Sequence, residues 1–504
     1  MNKNNVVEKR ISYLKRKITV AIDKKMYNEA ILLISTVANI LYKYNQEYMD
    51  IELEKQIKYI GEKVKEPIIT KQKGNKGISK RVIFYDGFGL DIRGLALIYI
   101  RALLAEGYRV CYLVDEVRVK EIPLIKEELS SSSAKLSIIP KKCTGISRYK
   151  FILDQINKWD TVTAFLYTYP ADVTAIMAYN ELSGEVTRYL INLTDHAFWL
   201  GINAFDYCIE FRDYGASISH KYRNISKEKI IVQPYYPVID SNTDFQGYPF
   251  ERGRDDFIVF SGGNIYKTVD EKEHLYYKLV RELLDLYKNI KFWYAGTGSY
   301  SEMDKLIEDY PKRVYYTEER KDLFQVLQNC DMYLNTYPLL GGLMTQYAAK
   351  AGIVPLSIDI GEAVEGLLIN QNELNIFFEN KELLKKEFKQ LFDDSDYRAK
   401  KGKELQGAVI SEEDFNENLC KIIESQQSKY IHKMYDVKTE KFREKYSDRF
   451  DVREIEKEVG MPYNLCCIRI IPFFYAYSLF FHFFRGNGYK KIWKRICRYG
   501  NGKK

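Results

Sequence analysis

Apolar positions along this chain change their period near residue 80. Between residues 5 and 66 they recur at three- and four-residue steps. Tyr27, Ala30, Ile31, Ile34, Val37, Ile40 and Leu41 form one stripe, and a second amphipathic stretch runs from Ile51 to Val64. This spacing predicts a helical pair in segment 1–66 that cannot bury its apolar face alone. A Lys- and Gly-rich stretch, Lys65–Lys80, ends it. From Arg81 onward short apolar runs alternate with helical stretches, and strands are predicted at Val82–Tyr85, Val110–Val114, Leu136–Ile139, Thr163–Tyr167, Arg188–Leu193, Tyr207–Phe211 and Ile230–Val232. Residues 234–256, punctuated by Pro, Gly, Asn and Asp, read as a linker. Strands are then predicted at Phe257–Ser261, Lys291–Ala295, Val314–Tyr316, Met332–Asn335 and Val354–Ser357, with helices at 270–288, 301–309, 320–328 and 344–351. Such alternation means parallel sheets covered on both faces, so the fold class is α/β. Two units in series, 79–240 and 255–430, place ligand loops at strand C-termini and the site in the cleft between them.

Length and composition agree with that division. The 504 residues exceed one core, and 46% hydrophobic with 29% charged residues excludes a disordered or fibrous chain. Eight scattered cysteines include no C-x-x-C pair, which points to reduced thiols in the cytoplasm rather than a zinc site or a disulfide scaffold. The first twenty residues are polar and charged, and no run of 18 apolar residues occurs, so export and a spanning helix are disfavoured.

Charge singles out the last segment, 431–504. Eight of the 77 Lys and Arg lie between Arg485 and Lys504 with no acid among them, leaving 69 basic against 69 acidic residues in the rest. The body is neutral and a poor partner for nucleic acid. Just before the basic run, IIPFFYAYSLFFHFF (470–484) is apolar but too short to span a bilayer. The combination suits a segment lying on an anionic membrane, peripheral to the inner face of the cell membrane. The same residues also fit a hydrophobic strap packed on the protein with a solvated basic end.

Glycine loops that follow a strand and open a helix are phosphate cradles, because glycine lets the backbone approach oxygens while helix N–H groups supply positive charge. DGFGLDIRG (86–94) lacks the G-x-G-x-x-G spacing and argues against a nicotinamide dehydrogenase. Three further loops follow successive strands of the second unit. FSGGNIYKT (260–268) carries Gly262, Gly263, Asn264 and Lys267; YAGTGS (294–299) carries Gly296; NTYPLLGGLMTQ (335–346) carries Gly341, Gly342 and Thr345. Aligned at one sheet edge, they would form one pocket for a diphosphate with Lys267 as its point charge. Taken singly, each would be no more than a tight turn.

FSGGNIYKTVDE followed by DMYLNTYPLLGGLMTQYAAKAGIVPLSI resembles the donor-binding half of GT-B glycosyltransferases, in particular the O-GlcNAc transferase clan and the bacterial cytoplasmic N-glycosyltransferases. The matching residues are Asn264, Tyr266 and Lys267, then Asp331, Leu334, Asn335, Pro338, Gly342, Thr345, Ala351, Gly352 and Pro355; upstream, Phe205, Asp206, Tyr207 and Ile209 match a second family segment. The resemblance implies two Rossmann-like domains facing a cleft, the second holding a nucleotide-sugar donor, UDP-linked, with Lys267 on its phosphates. It implies a hexosyl- or N-acetylhexosaminyl-transferase acting on a surface-glycan, lipid-linked or protein acceptor. No metal is expected, since lysine and helix N-termini neutralise the leaving diphosphate. This chain departs from the pattern at Tyr347, where relatives carry an acid for the donor ribose, and it lacks the glutamate pair of retaining enzymes, which leans towards inversion.

For acceptor activation, His196 follows the predicted strand Arg188–Leu193 and sits beside Asp195. An imidazole there can accept a hydroxyl proton; a loop-capping histidine is the alternative. Asp91, in the first glycine loop, is the second candidate base and equally suits a helix cap. A catalytically silent GT-B relative acting as a binding or scaffolding subunit remains the other reading of the whole chain.

Overall fold

A computed structural model describes residues 3–44, 47–65, 80–91, 95–240, 243–270, 272–358, 368–369, 373–448, 450 and 455. The tail 470–504, read above as a membrane segment, lies outside them. Among the described residues no helix is long and apolar enough to cross a membrane.

Three helices, not two, open the chain: α1 (Lys3–Asp23), α2 (Tyr27–Tyr44) and α3 (Ile51–Val64). The extra one is α1. Its buried residues Val7, Ile11, Leu14, Ile18 and Ala21 recur at steps of four and three, but Lys and Arg fill the positions between and dilute the pattern. Asp50 caps α3 by accepting from the Glu52 and Leu53 N–H groups and also pairs with Lys15 of α1.

The first sheet is built from β1 (Arg81–Asp86), α4 (Ala96–Ala105), β2 (Arg109–Asp115), α5 (Pro123–Ser130), β3 (Lys135–Ile139), α6 (Ile146–Trp159), β4 (Thr163–Tyr167), α7 (Val173–Glu181), β5 (Thr187–Ile191), β6 (Tyr207–Glu210), α8 (Asp213–Arg223) and β7 (Ile230–Val232). Its order is β3-β2-β1-β4-β5-β6-β7, every pair parallel. Buried on both faces, its strands read as apolar runs. One face carries an aromatic ladder of directly paired residues: Tyr112, Phe84, Phe165, Tyr189 and Tyr207, with successive ring centroids 5.9, 6.0, 5.2 and 5.7 Å apart. On the opposite face α6 and α7 cover the sheet, and α2 and α3 dock on α7.

The second sheet comprises β8 (Phe257–Gly262), α9 (Leu275–Leu286), β9 (Ile290–Ala295), α10 (Ser301–Asp309), β10 (Val314–Thr317), α11 (Leu323–Gln328), β11 (Met332–Leu334), α12 (Gly342–Lys350), β12 (Pro355–Ile358) and β13 (Phe377–Phe378). The order β10-β9-β8-β11-β12-β13 is again all parallel. The helix expected from residue 270 begins later, at Leu275, because a short 3-10 turn at Ile265–Thr268 and a left-handed His274 intervene. Both sheets therefore reverse strand order once, at β1/β4 and at β8/β11, where open α/β sheets leave a crevice for ligands.

Helices α13 (Lys381–Asp393), α14 (Ser395–Gly407) and α15 (Glu412–Ser425) follow. α15 crosses back to the first sheet. Phe415 packs edge-on to Tyr99 and Tyr236, the Ile422 carbonyl accepts from the Tyr189 hydroxyl at 3.1 Å, and the Gln233 amide donates to the Phe415 carbonyl at 3.1 Å. The chain then straps over α8, where Tyr222 donates to the Val437 carbonyl, and ends in α16 (Glu440–Asp448) lying on α2.

One buried acid links the helical segment to the first sheet. Glu54 of α3 is 3% exposed, and its Oε1 accepts from the Gly201 N–H at 2.6 Å and the Ile202 N–H at 3.4 Å. Burial pushes its carboxyl up to about 7, against the two N–H bonds that pull it down. The folded state thus holds a proton that the unfolded state, near 4.5, has released, so this group makes stability fall as pH rises from about 4.5 to 7. Glu54→Gln should match the parent below pH 4.5 and exceed it above pH 7, by on the order of 2–3 kcal/mol. Denaturant melts across that range would check this; parallel stability–pH curves for the two proteins would refute it.

Candidate functional site

The three glycine loops of the second unit meet at the C-terminal edge of its sheet. Backbone bonds continue the ladder past the strands: Gly263 N–H to the Ala295 carbonyl at 3.0 Å, Gly296 N–H to the Thr317 carbonyl at 3.0 Å, and Ile265 N–H to the Thr297 carbonyl at 2.8 Å. Asn264 accepts from the Tyr266 N–H and donates to Thr297 Oγ1 at 3.2 Å. The third loop joins through Leu339, whose N–H donates to the Lys267 carbonyl at 3.2 Å. Lys267 is half-buried on the 3-10 turn directly after β8. Gly262, Gly263, Asn264, Lys267, Gly296 and the 335–341 loop are thus one connected body.

Inside the third loop Asn335 is the organiser. Its Oδ1 accepts from the Gly341 and Thr336 N–H groups, and its amide donates to Thr345 Oγ1 at 2.8 Å and Ser357 Oγ at 3.1 Å. Thr345 Oγ1 in turn donates to the Gly341 carbonyl at 3.2 Å. This carries Gly341 to the start of α12, a helix with no side-chain cap, whose first N–H groups and dipole face the loop cluster. Sequence matching singled out Asn335 for its place in a motif; its buried bonds give the reason it sits there. The next two residues on α12 serve the linker instead. Gln346 donates to the Tyr235 carbonyl at 2.8 Å, and the Tyr347 hydroxyl donates to the Val238 carbonyl.

His196 lies in residues 192–206, the connection between the parallel strands β5 and β6. Such crossovers usually contain a helix, whereas this one is irregular and held by buried charge. Asp195 is fully buried and gripped by Arg212, Nε at 2.5 Å and Nη2 at 3.0 Å. Burial alone would raise its carboxyl, but the guanidinium holds it well below the usual range. Arg223, also buried, donates to the Asp195 carbonyl at 3.0 Å and the Ala197 carbonyl at 2.6 Å. Asn192 is fixed by Glu210 at 2.9 and 3.1 Å. On this platform His196 Nδ1 sits 3.4 Å from Asp195 Oδ1, with the side chain 29% exposed. Neighbouring residues do meet here, because Arg212 orients the carboxylate.

Two aromatic residues of α16 wall the imidazole: Phe442 at 6.0 Å and Tyr446 at 5.4 Å between centroids. Tyr446 also meets Tyr42 of α2, and Glu444 pairs with Lys272 of the second unit at 3.1 Å. Nothing in the sequence near residue 196 announces α16, nor Arg212 and Arg223. The one signal for the arginines is their position in a stretch, 204–223, otherwise rich in apolar residues.

Asp91 is placed differently. Both its oxygens are spent on the start of α5, accepting from the Leu124 N–H at 2.7 Å and the Ile125 N–H at 3.2 Å, and burial raises its carboxyl. Its contacts are those of a helix cap. Asp86, at the end of β1, similarly closes the first glycine loop by accepting from the Phe88 and Gly89 N–H groups, both at 2.8 Å; burial pushes it up to about 6. No group of three or more His, Cys, Asp or Glu suited to a metal ion occurs among the described residues.

With this geometry in hand, comparison with known proteins gives a fold. No family model matches the chain, and no curated protein matches its sequence. Solved structures do match. The O-GlcNAc transferase of Thermobaculum terrenum superposes with a TM-score of 0.54 at 13% identity, covering 89% of this chain and 83% of its own. A protein described as a UDP-N-acetylglucosamine 2-epimerase from Listeria monocytogenes gives 0.51 at 13% identity, over 70% of this chain and 100% of its own. The fold is that of the GT-B glycosyltransferases. A glycosyltransferase from Rickettsia africae gives 0.50 at 12% identity, over 68% of this chain and 97% of its own. GT-B is thus an architecture shared here by transferases and an epimerase, and the chemistry has to be argued from the residues.

The weak point of the GT-B loop cluster is Gly296. A Cβ there would overlap the Gly263 carbonyl oxygen, and backbone cannot step aside as a flexible side chain can. Gly296→Ala should destabilise the protein by about 1–3 kcal/mol. A thermal melt of the variant checks this, and an unchanged melting curve would dissolve the connection drawn between the loops.

Proposed function

We propose that this GT-B chain transfers a sugar from a UDP-linked donor to a hydroxyl or amide acceptor, with 255–430 as the donor unit and 79–240 as the acceptor unit. One observation carries the reading: Lys267, the Gly262–Asn264 turn, Gly296 and the uncapped start of α12 belong to one hydrogen-bonded body at the β8/β11 switch point. Helix N–H groups and a lysine together favour a diphosphate, and the same charges stabilise it more as it leaves. Gly341, Gly342 and Thr345 supply loop and helix-start donors, and Lys267 the point charge. The arrangement asks for no metal.

On the acceptor side His196 takes the proton of the attacking group. The acceptor atom then bonds to the anomeric carbon as the bond from that carbon to the diphosphate oxygen breaks, and UDP departs with the electron pair. Asp195 holds the ring through Nδ1, and Arg212 keeps Asp195 ionised in its buried place. Single displacement inverts the anomeric centre. The acceptor is a surface glycan, a lipid-linked sugar or a protein, met at the inner face of the membrane; residues 470–504 carry that last part on sequence grounds alone.

A specific contact favours a second reading. With the Tyr347 hydroxyl engaged by Val238, α12 offers no acid to a donor ribose, as a silent GT-B relative serving as a scaffold would tolerate. Calorimetry with UDP and UDP release from a panel of UDP-sugars separate the two. Lys267→Ala should cut turnover by about 100-fold or more and weaken UDP binding, with an unchanged melting curve and no effect of EDTA on the parent enzyme. Full activity in that variant defeats the assignment, and absence of UDP binding in the parent chain selects the scaffold.

The base is tested apart from the donor site. His196→Asn should lower turnover by about 100- to 10,000-fold while the UDP affinity stays at the parent value. A variant that turns over normally removes His196 from the chemistry.

A further inference from the structure

A cavity of about 340 Å3 lies between α2 and the loops that follow β3 and β4, away from every residue assigned above. Its walls are joined at two points. Asn28 of α2 accepts from the Ile146 N–H at the start of α6 at 2.9 Å, and Ser35 of α2 donates to the Ala171 carbonyl at 2.9 Å. The first of these requires glycine at 145, where φ is 54° and a Cβ would collide with Asn28 Oδ1. The concavity is therefore fixed by hydrogen bonds, and its volume lies within the range of small-ligand sites.

The floor is a buried ionic network. Arg148, 9% exposed, donates to Asp172 Oδ1 at 2.7 Å and to Asp115 at 3.2 and 3.0 Å, and also reaches Tyr85 and Thr174. Asp172, 1% exposed, accepts in addition from Thr168 at 3.1 Å and from the Tyr85 hydroxyl. A fully bonded charge network under a cavity at the C-terminal edge of a parallel sheet is costly to bury, and such networks gather at functional sites.

Charge decides what could enter. Arg148 is already matched by two carboxylates, Glu29 adds another on the wall, and none of the lining residues is a lysine. Among the lining residues a phosphate or carboxylate ligand finds no unspent positive charge; Arg118 acts on Tyr169 from outside the lining. A neutral ligand rich in hydroxyls finds acceptors at Glu29 and Asn28, a hydroxyl group at Thr144, and the exposed ring of Tyr169 at the rim. An aromatic face with convergent polar groups suits the two kinds of surface of a pyranose.

We infer that the cavity between α2 and the β3 and β4 loops binds a neutral hexose unit, and that Tyr169 and Glu29 are its recognition residues. The assignment of that hexose to the acceptor rests on the transferase reading; the binding site itself does not.

The test uses the full chain and saturation-transfer NMR with methyl β-glucoside, methyl β-galactoside and methyl N-acetyl-β-glucosaminide as probes, methyl β-glucuronide as the anionic control, and UDP in the same samples. At least one neutral glycoside should bind. Its Kd should rise about tenfold in Tyr169→Ala and severalfold in Glu29→Gln, and the glucuronide should bind more weakly than the glucoside. Both residues lie at the rim, so unchanged melting curves accompany these changes. Failure of every neutral glycoside to bind, the same Kd in both variants, or tighter binding of the glucuronide overturns the inference. UDP binding lost alongside variant-sensitive glycoside binding would instead sink the transferase reading and leave the hexose site standing.

Discussion

The backbone hydrogen bonds between the parallel strands β8 and β9 continue past the strand ends, and this continued pairing holds the loop cluster of the second unit together. Gly296 lies so close to the Gly263 carbonyl that no side chain fits between them, which brings the second glycine loop under the first. Leu339 then bonds to the backbone of Lys267, and the third loop is delivered to the same place together with the start of α12. A larger residue at 296 would push the second loop off the first; Lys267 and the start of α12 are joined separately, through Leu339, so that their charges add at one place.

The first unit solves a different problem. An irregular connection between β5 and β6 must present a histidine without the support of a helix. It is held by interactions that are expensive to assemble: Asp195 with Arg212, Asn192 with Glu210, Arg223 on two carbonyls, and Glu54 on the Gly201 and Ile202 N–H groups. Removing one partner of such a buried pair leaves the other uncompensated, so the loop has few alternative conformations at low energy. The price of that rigidity is visible in Glu54, whose carboxyl is pushed up towards neutrality by its burial.

The strands of both sheets were legible because parallel strands buried on two faces are written as continuous apolar runs; Val82–Tyr85 grew only to Arg81–Asp86, and Thr163–Tyr167 was unchanged. Helix α1 was not separated from its neighbour because basic residues crowd its stripe, and β13 is two residues long, below any periodicity. The glycine loops could be read because a backbone requirement leaves a local mark. The partners of His196 could not. Arg212, Arg223, Glu54 and the α16 residues Phe442 and Tyr446 come from distant parts of the chain, and what brings them together is a parallel topology, not a spacing. Asp91 shows the converse, since an acid in a glycine loop looks alike in sequence whether it caps a helix or faces a substrate.

Charge is partitioned between the two units in a way that neither sequence half reveals. Around Lys267 and the start of α12 the charge is positive: an ammonium and the N–H groups of a helix without a side-chain cap. Among the residues lining the cavity beside α2 the one guanidinium is consumed by Asp115 and Asp172, and the surplus is negative. On the proposed function, an anionic nucleotide and a neutral sugar would be sorted to opposite units by sign, before any shape is read. His196 stands on the first unit but is walled by α16, whose Glu444 reaches Lys272 of the second. α16 is therefore the element that meets the imidazole on the first unit, Lys272 on the second and α2 behind it.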